Sequence, residues 1–223
     1  CYESLKRYEE AYLLAKKLMS GRLSDTEKKD VYYLYAMNGY MYGVKFIHRD
    51  VGQFAKGRAI LEELAPYADG KLKDYILPKI PLSWFFEGAE YELSQNFSDA
   101  LRCYELALKG YQELGKTKDE LSMLQHVAYA KKSLCDSDGS ISAYKQALSM
   151  AKTRGDVGVQ KKVLWKLREL ENSIGNVKQA QAYAASIDSL SEVTSDLQVK
   201  YEYYNQKGSE ARQNGQYGIA EQW

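Results

Sequence analysis

The feature that most constrains this chain is a self-similarity at an interval of forty residues. The run Asn96-Phe-Ser-Asp99-Ala100-Leu-Arg-Cys-Tyr104-Glu-Leu-Ala107-Leu108 is echoed by Asp136, Ser140, Tyr144, Ala147 and Leu148. The same interval then reaches Asn176 and Ala180, and again Gln216 and Ala220. A repeat of this size cannot bury an apolar face alone, so successive copies must stack to make a core. Apolar residues recur three and four apart, as in Leu101, Tyr104, Leu108 and in Leu124, Val127, Ala128, which is helical spacing. Asn96 with Asp99, Thr117 with Glu120 and Asn176 with Gln179 read as helix starts. Gly115 and Gly155 suit the left-handed residue that ends a helix. Each unit is therefore predicted to be two antiparallel helices of roughly 14–20 residues. Pro66, Pro78 and Pro81 fall in one window and leave the rest of the chain free of strong breakers.

Small residues explain how such hairpins close. Gly88, Ala100 and Ala107 allow two helices to cross closely, with Trp84 and Tyr91 filling the space beside them. Upstream, Gly43 and Ala55 hold the corresponding places. The stretch Arg7-Tyr8-Glu9-Glu10-Ala11, with Ala15 and Leu18, reads as the second helix of a repeat whose first helix is missing.

Trp84-x-x-Glu87-Gly88-x-x-Tyr91 followed by Ala100 and Ala107 resembles the tetratricopeptide (TPR) consensus, with Glu87 in place of its usual Leu. Tyr204, Gly208, Ala211, Gly215 and Ala220 match again at the small positions. The middle units are weaker, with Ala128 and Arg168 at the first small position and Ser140 at the third. The period also exceeds the family's thirty-four residues, which calls for longer helices or longer turns. The resemblance implies an all-α fold, a right-handed α-α superhelix or TPR-like solenoid of about five helix-hairpin repeats. The expected division is residues 1–20 as a partial repeat, then 25–70, 78–116, 117–156, 157–193, and a partial repeat over 194–223.

Composition excludes several functions. With 31 Lys+Arg against 30 Asp+Glu and 45% apolar residues, the chain is neither a polybasic nucleic-acid arm nor a disordered tail. No apolar run approaches the ~18 residues needed to span a bilayer. Cys1, Cys103 and Cys135 form no CxxC, and only His48 and His126 are available for chemistry. The motifs for phosphate cradles, zinc pairs and nucleophile elbows are missing. Asp136-Ser-Asp138-Gly139 is part of a calcium-loop pattern, but Leu134 and Lys145 stand where carboxylates are required, so it reads as a turn. Lys161, Lys162, Lys166 and Arg168 read as a solvated helix face. Twenty tyrosines are first explained by packing, since a phenol ring can bury its face and keep its hydroxyl wet. Tyr32, Tyr33, Tyr35, Tyr40 and Tyr42 crowd one helix, so some of them must look away from its core side. No catalysis, cofactor or metal is expected.

The resemblance also implies a working face, because in this family the first helix of each unit lines a concave groove. Transfer through the frame of Trp84 and Gly88 puts Tyr40 and Val44 there, then Phe85, Phe86 and Ala89. Gln125, His126, Tyr129 and Lys132 follow, then Trp165, Lys166 and Glu169, and finally Asn205, Gln206, Ser209 and Arg212. The series runs from aromatic to polar, which suits a peptide with an apolar anchor and a polar or acidic tail. Core packing competes for Phe85, Phe86 and Trp165, and plain solvation for Lys132, Lys166 and Arg212. The family's carboxylate clamp is not reproduced: Phe85, Gln125 and Trp165 occupy the place of its first Lys, and Ala89 or Tyr129 that of its Asn.

The expected partner is thus a protein or peptide, with no nucleic acid and no membrane insertion within this segment. Long repeats, abundant Tyr and the run Ile187-Asp188-Ser189-Leu190 are similar to TPR input segments of bacterial membrane-bound signalling proteins, where the array lies outside the cytoplasm. The rival expectation is a surface lipoprotein receptor, anchored at Cys1, that stacks a glycan or small nutrient on Tyr and Trp. Helical pattern beginning at Leu5 and Tyr8 favours a cropped start over a lipid anchor. Compartment and oligomeric state are left open.

Overall fold

The structure, a computed structural model, describes residues 2–193 and 197–216. Cys1, Ala220 and Trp223, and the side chain of Gln206, lie outside the described residues. The chain divides into two compact units, Cys1–Leu134 and Cys135–Trp223. The first holds α1 (Tyr2–Met19), α2 (Asp25–Phe46), α3 (Phe54–Leu64), a 3₁₀ turn (Ala65–Tyr67), α4 (Gly70–Ile76), α5 (Lys79–Leu93), α6 (Phe97–Glu113) and α7 (Thr117–Ser133). The second holds α8 (Ser137–Thr153), α9 (Val157–Ser173), α10 (Val177–Val193) and α11 (Leu197–Gln213). Among the described residues there is no strand, and no helix is long and apolar enough to cross a membrane.

The forty-residue period resolves into two equal halves. From α6 to α11 every helix has 17 residues, and successive helices begin twenty residues apart. The excess over a standard repeat therefore lies in longer helices, not in longer turns. A left-handed residue closes the helices at Gln95 (φ 59°), Gly115 (63°), Cys135 (62°), Gly155 (67°), Gly175 (81°) and Gly215 (72°). At Gly115 the turn is tied twice: Gly115 N–H donates to Gln112 O at 3.0 Å and Lys116 N–H to Tyr111 O at 2.9 Å. This double bond satisfies the last carbonyls of the helix. The same pair of bonds recurs at Gln95/Asn96, Gly155/Asp156, Gly175/Asn176 and Gly215/Gln216.

The residue after the left-handed one then caps the next helix. Asn96 accepts from Asp99 N–H, Asp136 from Gly139 N–H and Asp156 from Val159 N–H. Two consecutive residues thus end one helix and start the next, which keeps the connection to three residues and the spacing at twenty. At α7 the cap position is Lys116, which makes no side-chain cap bond; Thr117 is already inside the helix.

Helix packing in the first unit follows the small residues. A Cβ on Gly88 would come within 2.9 Å of the Tyr104 ring and 3.1 Å of Cys103 Cβ, so α5 and α6 close only on glycine. The upstream counterpart differs from expectation. Ala55 is exposed, and Gly57 sits at the crossing, where a Cβ would meet Gly43 O at 2.8 Å. Tyr12, Tyr35, Tyr42, Phe46, Leu61 and Leu64 form the core of α1–α3, with Phe86 and Ile80 of α5 packed against it. Glu63 gathers the phenols of Tyr12 and Tyr35 and the ammonium of Lys16, while Tyr42 OH donates to Glu9 at 2.6 Å. Burial raises the Glu63 carboxyl, but bonds from Lys16, Tyr35 and Tyr12 outweigh it and hold the group below its ordinary value. Tyr33, by contrast, is exposed.

Glu87 departs from the consensus for a reason visible only in three dimensions. Arg58 of α3 is buried against α5, where its guanidinium covers the Trp84 ring at 3.2 Å from the centroid. Its Nη2 donates to Glu87 Oε2 at 2.9 Å and its Nη1 to Ser83 Oγ at 3.1 Å. A buried guanidinium requires a counter-charge, and a Leu at this position could not supply one.

In the second unit α8 packs on α9 and α9 on α10, and Tyr144, Leu148, Val163, Leu164, Leu167, Ala180 and Ile187 are buried. The basic cluster is not the solvated face its composition suggested. Lys161 is buried, with its ammonium 4.7 Å from the Tyr203 ring centroid, while Lys162 and Lys166 are exposed.

Candidate functional site

Two surfaces carry the expected residues, one in each unit. In the first, α5 presents the adjacent Phe85 and Phe86 and, two turns on from Phe85, Glu92, and α7 presents His126 alongside. The Phe85 ring lies 5.5 Å from Phe86 and 5.1 Å, edge-on, from His126. His126 also lies 5.0 Å from the buried Tyr104, whose hydroxyl donates to Glu92 Oε2 at 2.6 Å. The same carboxylate stands 3.9 Å from His126 Nδ1. Burial lowers the His126 pKa, with Glu92 pulling the other way and losing. The imidazole is therefore neutral at pH 7.

Gln125, Tyr129 and Lys132 share α7 with His126. Gln125 is half-buried and donates its amide to Leu121 O at 3.2 Å, within its own helix. Tyr129 is 41% exposed and meets Phe97 edge-on at 6.2 Å. Lys132 is half-buried. Tyr40 pairs instead with Tyr75 of α4, at 6.5 Å, and Val44 packs into the α1–α3 core. Phe85, Phe86 and His126 are thus brought together, and Tyr40 stands apart. Glu92 and Tyr104 belong to this cluster but were not expected there. Glu92 follows Phe85 by seven residues, two helical turns along one face, and that spacing was the available signal.

In the second unit Arg168 fills the place that Gly88 holds in the first. Its head group stacks on Trp165, 3.7 Å from the ring centroid, and pairs with Glu210 of α11. Arg168 Nε is buried without a hydrogen-bond partner among the described residues. Trp165 is only 9% exposed, so most of its ring serves packing. Its remaining edge joins Lys166, Glu169 and Ser209 in a cleft of about 370 Å³ between α9 and α11, together with Lys162, Arg168, Glu210 and Gln213. Lys166 pairs with Glu169 at 3.4 Å. Asn205 and Arg212 are exposed and do not line this cleft. Among the described residues no group of His, Cys, Asp or Glu could hold a metal ion.

Antiparallel helices that nest through small residues, turn after turn, define a TPR-like helical-repeat fold. Among solved structures the chain is similar to BtubC (BKLC) from P. vanneervenii, with a TM-score of 0.53 and 16% identity over 99% of this chain and 86% of that one. It is similar as well to aspartyl phosphate phosphatase F from Bacillus subtilis, with a TM-score of 0.51 and 9% identity over 97% of this chain and 62% of that one. A putative kinesin light chain from Podosopora anserina with nearly identical TPR-like repeats gives 0.48 at 10% identity, over 86% of this chain and 99% of that one. At these identities the likeness is one of fold. No protein-family model matches the sequence, and no curated protein sequence does.

Proposed function

We propose that this chain is a non-catalytic helical-repeat scaffold that binds a protein or peptide through the first helices of its hairpins. The binding residues in this reading are Tyr40, Phe85, Phe86, Gln125, His126, Tyr129 and Lys132 in the first unit. In the second they are Trp165, Lys166, Glu169, Asn205, Gln206 and Arg212. The repeat division drawn from the sequence belongs to the same reading. One observation supports it above the others: Phe85, Phe86 and His126 meet at ring-contact distance on α5 and α7, with the exposed Tyr129 one turn further along. Phe85, Phe86 and His126 are half-buried, with Phe85 and Phe86 also packed against core residues, and the ring edges they leave at the surface beside the exposed Tyr129 are the kind of anchor a protein interface uses. The hydroxyl beside its histidine, that of Tyr104, belongs to a buried residue and is donated to Glu92, so recognition fits the cluster better than bond chemistry.

The narrower assignment, a sensor segment of a larger bacterial signalling protein, rests on the resemblance of its long, tyrosine-rich repeats. The test begins with capture by the isolated chain, a salt wash and identification of what remains. Affinity for the retained partner is then titrated. Phe86→Ala or Tyr129→Ala is expected to weaken it at least about tenfold, the ordinary effect of losing a hot spot, with far-ultraviolet circular dichroism unchanged. Unchanged affinity in both variants refutes the surface.

One observation favours a second reading, a receptor for a glycan or small nutrient. Tyr32, Tyr33 and Tyr67, with Pro66, Lys29 and Asp69, line a cleft of about 350 Å³ in the first unit. That is the size and the mixture of ring faces and polar groups a small ligand uses. A lipobox preceding Cys1 in the gene, with no membrane span following Trp223, separates this reading from the first.

A further inference from the structure

We infer that α1 and α2 form a seat for one more helix, supplied by the same polypeptide ahead of α1 and running antiparallel to it. The inference starts from side chains that are exposed where their counterparts are not. On α1, Leu14 and Leu18 are 60% and 45% exposed. In the repeat register that aligns Ala11 with Ala100, they stand where α6 has Cys103 and Ala107, both fully buried. Cys103 is buried against the first helix of its own hairpin, next to Gly88, and Ala107 packs with Trp84 and Phe85 of that same helix. α1 therefore carries the apolar row that a first helix covers, but wears it in the open.

α2 shows the matching half. Leu34, Met37 and Met41, spaced as one helical stripe, are 51%, 40% and 39% exposed. Met41 aligns with Phe86 of α5 and His126 of α7 through Gly43, Gly88 and Ala128. Phe86 packs on the α1–α3 core and His126 on Phe85, so at both counterparts this position touches the preceding repeat.

The two rows flank one groove. α1 and α2 join through Tyr12 against Tyr35 and Tyr42, with Tyr42 reaching back to Glu9, so they run antiparallel. Leu14 and Leu18 each precede the residues Ala15 and Met19 that face α2. Leu34 and Met41 likewise precede Tyr35 and Tyr42. On antiparallel helices the same one-residue rotation turns both rows to the same side. The opposite side is taken by α3, where Lys16 of α1 meets Glu63. The seat thus continues, in register, the helix-on-helix contacts already made by α5, α6 and α7. Turns of three residues join those helices, so the covering helix would end a few residues ahead of Tyr2.

The seat is tested by thiol reactivity in a chain whose native cysteines are replaced. Leu14→Cys and Met41→Cys are labelled in residues 1–223 and in the polypeptide extended upstream as its gene encodes it, with Leu93→Cys as a distant exposed control. The expected result is labelling at least tenfold slower at positions 14 and 41 in the longer polypeptide, independent of protein concentration, with position 93 unchanged. Equal rates in the two chains overturn the proposal. So does a gene that encodes no mature residues ahead of Cys1, or protection of residues 1–223 that rises with concentration, which would make a second copy the occupant.

Discussion

Replacing Glu87 by the leucine of the TPR consensus is the sharpest test of the packing described above. Consensus substitutions ordinarily stabilise repeat proteins, so the naive expectation is a gain. The structure gives the opposite sign. Arg58 and Glu87 have side chains only 7% and 20% exposed and meet at 2.9 Å. Removing one partner of a buried ion pair costs about 3–5 kcal/mol, because the remaining charge is left uncompensated. Two terms reduce that figure here. Arg58 keeps the Ser83 hydroxyl and the Trp84 face, and the latter is worth about 1–2 kcal/mol when desolvated; a buried Leu adds about 1 kcal/mol of apolar contact. The net expectation is a loss of about 1.5 kcal/mol from the first unit. The paired variant Arg58→Met/Glu87→Leu removes both charges and should return to within about 1 kcal/mol of the parent or exceed it. With Trp165 and Trp223 changed to Phe, Trp84 becomes the only tryptophan, and its fluorescence reports the denaturant unfolding of this region. Stability of Glu87→Leu equal to or above the parent would refute the argument, as would strict additivity of the two single changes.

Two further predictions follow from the turns and the titrating groups. Cys135 and Gln95 hold the left-handed conformation that glycine takes at the neighbouring turns, so Cys135→Gly or Gln95→Gly should stabilise by about 1 kcal/mol. Gly155→Ala should cost about as much, because the left-handed penalty on a β-carbon exceeds the chain entropy that glycine loses; chemical denaturation checks the opposite signs. Acid should weaken the first unit in two stages. The folded pKa of His126 is depressed, so its contribution is complete above the unfolded histidine value of about 6.5 and is lost as pH falls below it. The depressed Glu63 carboxyl adds a loss starting near its unfolded value of about 4.3 and continuing as pH falls through the folded one. His126→Gln should remove the first stage and Glu63→Gln the second, read as midpoints of urea unfolding against pH.

Much of the fold was legible before any coordinate. The cap at Asn96 and the glycines at 115 and 155 are local signals, each acting within a few bonds of the residue that carries it, and the forty-residue period repeats them along the chain. Helices and turns could be placed for that reason. Register in the upstream repeat was harder. Ala55 and Gly57 are both small, and only contact with Gly43 decides which one stands at the crossing. The candidate site was legible in part. The register found the helices that present Phe85, Phe86 and His126. It could not show that Trp165 is largely consumed by Arg168, or that Glu92 and Tyr104 close the cluster around His126.

The amino-acid order by itself determined that this chain is a stack of helical hairpins, because the small and capping residues that dictate hairpins return at a fixed interval along it. The tertiary structure alone decided which polar side chains are sealed inside that stack. Arg58, Glu87 and Lys161 look like surface residues in the sequence, and their burial depends on partners brought in from other helices. Desolvation is a property of the surroundings in space, and no periodicity along a single helix encodes it.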